Sequence, residues 1–166
     1  MAEKINVDMA NIVGWTKENQ LWLNAEKTVF LVLGANQSTY DYENFTICIN
    51  GVSVYASQQM KCLGIIIDNK LNWKCHINNL AKKCYTRIRT LYSIKHYLSP
   101  DQLKLFGQSL VLSLLYYMSA VWGQSSQCVL KISEKILRSL SRLVLNKRKY
   151  DPVAADITKD LKWLLS

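Results

Sequence analysis

Proline and glycine are scarce, two and six in 166 residues. That scarcity, with 49% hydrophobic residues, excludes a disordered or low-complexity chain and supports a packed core. No CxxC occurs among the five cysteines, Cys48, Cys62, Cys75, Cys84 and Cys128. The odd count and the absence of a recognisable leader argue against a disulfide framework and predict reduced thiols inside a cell, nucleus and cytoplasm left open. Cys75, His76, Cys84 and His96 suggest a metal cluster at first sight. Adjacent residues on a helix diverge by about 100°, which fits zinc poorly, so no metal site is expected. One long run, residues 105–122, lacks charge. It carries Gly107, Gln108, Ser109, Ser113 and Ser119, so a core helix is a better reading than a membrane span.

Acids are the other shortage. Residues 1–60 hold three Lys/Arg against six Asp/Glu, a net of −3, and residues 61–166 hold 18 against six, a net of +12. Between 69 and 150 the only acids are Asp101 and Glu134. A basic half with so little matching acid predicts a polyanionic partner, RNA or DNA first.

The pattern of apolar residues predicts an α+β fold. Ile5, Met9, Ile12, Val13, Trp15 and Leu23 recur at near-helical spacing over 5–23. Residues 27–34 (KTVFLVLG) read as a buried strand, 37–44 as a polar loop, and 60–68 (MKCLGIIID) as another strand. Between the strands, 45–49 and 52–55 alternate around Asn50-Gly51, a hairpin signal because a type I′ turn needs two positive φ values. The sheet is expected to be small and mainly antiparallel. From residue 71 the period turns helical. Trp73, Ile77, Leu80, Cys84, Ile88 and Leu91 form one stripe. Ser99-Pro100-Asp101-Gln102 is a helix start, with a Ser cap and Gln three residues on. The helix it opens is apolar nearly all round from Leu110 to Trp122, like the centre of a bundle. A third, about 127–146, places Val129, Ile132, Ile136, Leu140 and Leu143 on one side. Lys147-Arg148-Lys149 leads to a turn at Asp151-Pro152 and a short last helix, about 153–165. Three parts are expected: 1–70, a three-helix bundle over 71–148, and a tail over 149–166.

Lys74, Lys82 and Arg89 on the first bundle helix, with Lys131, Lys135, Arg138 and Arg142 on the third, are the candidates for phosphate contact. A face that neutralises any duplex regardless of sequence is built this way, although a charge row is also an ordinary solvated surface. Trp73 is expected to anchor the core rather than stack on a base. Asp151, Asp156 and Asp160 read as caps and surface charges, and Ser99 as a cap without triad partners.

Three stretches in order resemble the reverse transcriptases of non-LTR retrotransposons of the jockey type. Residues 15–28 (WTKENQLWLNAEKT) resemble the family's W…N…L.LN..KT segment, the helix and strand called motif D. Residues 49–52 (INGV), 62–68 (CLGIIID) and 71–77 (LNWKCHI) resemble ING, YLGI.ID and L.W..HI, with Cys62 where Tyr is more usual. Leu98-Ser99-Pro100 through Tyr116-Tyr117 and 120–123 (AVWG) resemble the helical thumb, and 142–144 and 160–164 resemble the family's segment beyond the thumb. The resemblance implies a C-terminal palm remnant with a thumb. Lys27 then falls where a motif D lysine could neutralise departing charge, and Leu63-Gly64 at the primer-grip turn, where Gly permits close approach to phosphates.

Polymerases of this type use two Mg²⁺ ions, held by carboxylates that include an adjacent Asp pair. No two acids are adjacent in this sequence, which begins about where the resemblance places that pair as already passed. The resemblance therefore implies primer and template binding without catalysis, no cofactor in this chain, and the missing fingers and palm as a further partner. The alternatives are a repurposed helical protein that binds another protein through exposed apolar surface on 5–23 and the strands, and, behind it, a single-pass membrane protein.

Overall fold

A computed structural model describes residues 2–33, 45–124, 126–159 and 161–163. The chain divides into two compact units, Met1–Leu71 and Asn72–Ser166, and the fold is α+β. The expected loop at 37–44 lies outside the described residues, as do Gly34, Asp160 and positions 164–165 of the last predicted helix.

The first unit opens with α1 (Ala2–Glu18). It ends in a Schellman turn, five residues earlier than the periodicity suggests. Leu21 N–H donates to the Thr16 carbonyl at 2.8 Å and Gln20 N–H to Lys17 at 3.1 Å, with Gln20 left-handed at φ 58°. A 3-10 turn, Ala25–Lys27, comes next, started by Asn24, whose side chain accepts from Lys27 N–H at 3.1 Å. The strand expected over 27–34 shrinks to β1 (Phe30–Leu31). β1 runs parallel to β3 (Val52–Ser57), which pairs antiparallel with β2 (Thr46–Ile49), so this sheet is mixed, with order β1-β3-β2. Asn50 and Gly51, at φ 51° and 82°, make the predicted two-residue turn. α1 lies against β2, and its Asn6 amide behaves as a strand edge would. It donates to the Thr46 carbonyl at 3.4 Å and accepts from Cys48 N–H at 3.0 Å.

The single strand expected over 60–68 is instead a second hairpin. β4 (Gln59–Cys62) pairs antiparallel with β5 (Ile65–Asp68), and the turn is Leu63-Gly64, at φ 47° and 87°. Leucine seldom adopts that backbone, so the sequence hides the turn that Asn-Gly advertises twelve residues earlier. The core of this unit is thin. Among the described residues Ile49 and Ile65 are its buried hydrophobics, and of the six apolar α1-region residues Ile12 and Trp15 are exposed while the rest are half-buried.

The second unit is helical. α2 (Lys74–Ile94) buries Ile77, Leu80, Cys84 and Leu91 as the stripe predicts, with Trp73 buried at its N-cap. α3 (Pro100–Gly107) has the predicted capping box: Gln102 N–H donates to Ser99 Oγ and Ser99 N–H to Gln102 Oε1. The continuous helix expected onward to Trp122 is interrupted. A π-helical turn spans Gln108–Leu112, succeeded by α4 (Ser113–Tyr116), left-handed Met118 and α5 (Ser119–Trp122). Ser109 and Ser113 hydroxyls donate to the carbonyls four residues back, Leu105 and Ser109, which bends a helix. The segment is two-faced rather than apolar-buried all round. Val111, Leu112, Leu115 and Trp122 are buried, whereas Leu105, Leu110, Tyr117 and Val121 are exposed. Among the described residues, no helix is long and apolar enough to cross a membrane.

α6 (Gln127–Val144) packs on α2 and α3 and buries Val129, Ile136, Leu137, Leu140 and Leu143. At Gly107 the α3–α6 approach is close: a Cβ there would lie 3.2 Å from Leu140 Cδ1. α7 (Ala154–Lys159) packs back on α6 through Ile157, so the tail belongs to the same unit as the bundle.

Candidate nucleic-acid interface

The predicted site residues fall into both units. Lys27 is an exposed residue at the end of the 3-10 turn of the first unit. Leu63 and Gly64 form the exposed tip of the β4–β5 hairpin in the same unit, Leu63 with 75% of its surface open. The helical cations all belong to the second unit.

On α2 the helical period places Lys74, Asn78, Lys82, Tyr85, Arg89 and Tyr92 along one flank, at successive spacings of four or three, and Lys95 continues it at the start of the 3-10 turn Lys95–Tyr97. Asn78, Ala81, Lys82, Tyr85, Thr86 and Arg89 line a shallow groove on it. Neither Lys82 nor Arg89 enters an ion pair among the described residues. Both are exposed.

A second groove lies where the C-terminal ends of α2 and α6 meet. Ile88, Tyr92 and Lys95 wall it on one side; Ser139, Arg142, Leu143 and Asn146 wall it on the other, and Lys147, Arg148 and Lys149 close it. Among the described residues its lining contains no acid, although Asp151 and Asp156 bond three of its cations. The end of α6 explains how so many cations converge. Asn146 is left-handed at φ 52°, Lys147 N–H donates to the Arg142 carbonyl at 2.9 Å, and Asn146 N–H donates to Leu143 at 3.3 Å. This Schellman turn swings residues 147–149 back beside α2. Asp151 holds the loop, its carboxylate accepting from Arg148 N–H at 2.8 Å and its carbonyl from Arg142 Nε at 3.2 Å. Lys147 is partly neutralised by Asp156, Nζ to Oδ2 2.7 Å. Lys95 spans the groove mouth. Its ammonium donates to Asn146 Oδ1 at 3.4 Å and sits 4.5 Å from the Tyr92 ring centroid.

The predicted row on α6 is split. Arg142 enters the groove, while exposed Lys135 and Lys131 lie one and two turns before Ser139 on the ridge that borders it. Arg138 points elsewhere and pairs with Glu134 at 3.2 Å. Tyr85, Tyr92, Lys95, Arg148 and Lys149 are groove residues that the charge rows alone do not pick out. The three- and four-residue spacing from Lys82 through Lys95 is the signal that could have found the first three.

The thiols and imidazoles do not gather into a site. Cys75 is exposed and Cys84 buried, and among the described residues no group of three or more His, Cys, Asp or Glu could hold a metal. Burial pushes the Cys84 thiol up to about 11, against the opposing pull of Arg87 and Lys83. Burial, helped by the Lys83 charge, lowers His76 below the ordinary imidazole value. His76 stands edge-on to Trp73, ring centroids 6.5 Å apart, and 6.2 Å from Trp122, in the core rather than the groove.

Comparisons with protein-family models, curated proteins and solved structures return no match for this chain.

Proposed function

We propose that the chain is the C-terminal palm and thumb portion of an RNA-directed DNA polymerase of the non-LTR retrotransposon type, and that it binds an RNA–DNA duplex without regard to sequence. The observation that carries this reading is the groove between α2 and α6, which gathers Lys95, Arg142, Lys147, Arg148 and Lys149 with no acid among its described lining residues, and Lys82 and Arg89 on the adjoining flank. The ordered resemblance of 15–28, 49–77 and 98–123 to that family supplies the rest. Catalysis is not assigned to this chain, because the paired carboxylates that would hold Mg²⁺ have no counterpart in its sequence.

A duplex bound through about five phosphate contacts releases its counterions, so affinity falls by roughly 10²–10³-fold between about 50 and 200 mM salt. Fluorescence anisotropy with a labelled RNA–DNA hybrid measures this directly. Affinity that stays flat across that range, or no binding at the lower salt, overturns the proposal.

A second reading has its own support in the first unit. Val7, Ile12, Trp15, Leu21 and Trp22 are exposed there, Trp22 with 82% of its surface open. Apolar surface on that scale suits a protein partner, whether the fingers and palm of such a polymerase or another chain.

A further inference from the structure

Tyr85 and Tyr92 are hard to reconcile with a groove that meets only a closed duplex. They stand two turns apart on the α2 flank, about 10 Å along the axis, and leave 41% and 60% of their surfaces open. Lys82, Arg89 and Lys95 alternate with them. The cations serve any phosphate chain. A tyrosine hydroxyl can bond a duplex phosphate, but the ring face has nothing to stack on there, since duplex bases are already stacked on each other, whereas unpaired bases have free faces to lay on it. Lys95 lies against Tyr92, 4.5 Å from the ring centroid, while 60% of the Tyr92 surface stays open.

We propose that the α2 flank from Lys82 to Lys95 binds single-stranded nucleic acid, with bases stacked on Tyr85 and Tyr92 and phosphates on Lys82, Arg89 and Lys95. This rests on the nucleic-acid reading above and adds the strand state that the flank holds. Stacking is indifferent to base identity, so the site takes RNA or DNA of any sequence. The unpaired strand that leaves a hybrid would continue from the α2–α6 groove onto this flank.

The test uses the full chain with a single-stranded 12-mer and an RNA–DNA hybrid of equal length, compared by anisotropy at one low salt. Tyr92→Ala and Tyr85→Ala are each expected to weaken the single strand about tenfold and the hybrid less than twofold. Tyr92→Phe, which keeps the ring, should restore single-strand affinity. Lys82→Ala and Arg89→Ala should weaken both substrates. Circular dichroism of each variant verifies the fold, and both tyrosines are exposed enough for truncation to be tolerated. If the hybrid binds but the single strand does not, or if truncating the tyrosines weakens both equally or neither, this inference fails while the duplex reading stands. If neither substrate binds, both fail.

Discussion

Leu63 sits at the tip of a two-residue turn with a left-handed backbone that costs an ordinary side chain about 1–2 kcal/mol. Strain of that kind cannot be read from residue type, which is why Asn50-Gly51 announces its hairpin and Leu63-Gly64 does not. Two buried titratable residues show the same dependence on surroundings, and their directions set a pH window. His76 is lowered in the fold, so as pH falls below its ordinary 6.5 the unfolded chain takes up a proton that the native chain resists, and stability drops. Cys84 is raised from 9.0 to about 11, so between those values the unfolded thiol ionises first and stability drops as pH rises. The alkaline arm is on the order of 2–3 kcal/mol at full extent. Urea midpoints taken across the range should be highest between about 6.5 and 9 and should fall on both sides. Cys84→Val should flatten the alkaline arm selectively; an unchanged arm would show that other groups cause it.

At the scale of elements, legibility tracks how strongly each segment contradicts alternatives. α2 and α6 are readable because a stripe that repeats through Ile77, Cys84 and Leu91, or Val129, Ile136 and Leu143, permits one face only. The capping box at Ser99 fixes a helix start to the residue. The segment after α3 misleads because apolar content says nothing about carbonyls captured by serine hydroxyls, and the π turn lies where those bonds are made. β1 is shorter than its composition suggests because β-branched residues in 28–33 favour extension without guaranteeing a neighbour to pair with. Of the site, the individual cations are legible, but the groove is not. It depends on a Schellman turn at Asn146 and on Asp151 folding the loop back, neither of which a charge count registers. Two substitutions separate the forces that hold α3. Ser99→Ala removes its cap and should cost about 1 kcal/mol, whereas Leu140→Ala opens a cavity where α3 crosses α6 and should cost about 2–5 kcal/mol. A Leu140→Ala variant that melted no lower than Ser99→Ala would show that packing on α6 contributes no more than the cap does.

For the molecule as a whole, the uneven charge is the dominant feature. A net of +11 over residues 72–166, 16 Lys/Arg against five Asp/Glu, with Asp101, Glu134, Asp151 and Asp156 as the described acids, means that the folded helices repel themselves. Compacting like charge costs free energy that a nucleic-acid backbone, or a screening salt, returns. At about 0.1 M salt the screening length is about 10 Å, comparable with the spacing of neighbouring helices, and at about 1 M it shrinks to about 3 Å. Added salt should therefore stabilise the free protein and weaken its hold on nucleic acid, two opposite responses with one cause. Raising sodium chloride from about 0.05 to 0.5 M should lift the thermal midpoint of the free chain by several degrees, since about 1 kcal/mol moves the midpoint of a domain this size by about 2–4 °C. Adding hybrid at the lower salt should raise that midpoint as well, and the gain should vanish at the higher one. Chloride could stabilise trivially by strengthening apolar burial, but that effect would act on a neutral domain too. Lys131→Glu with Lys135→Glu discriminates: it adds two acids to the α6 ridge, so it should raise the low-salt midpoint and shrink the response to salt together. A double variant that melts lower and responds to salt as the parent does would show that self-repulsion is not what limits this fold.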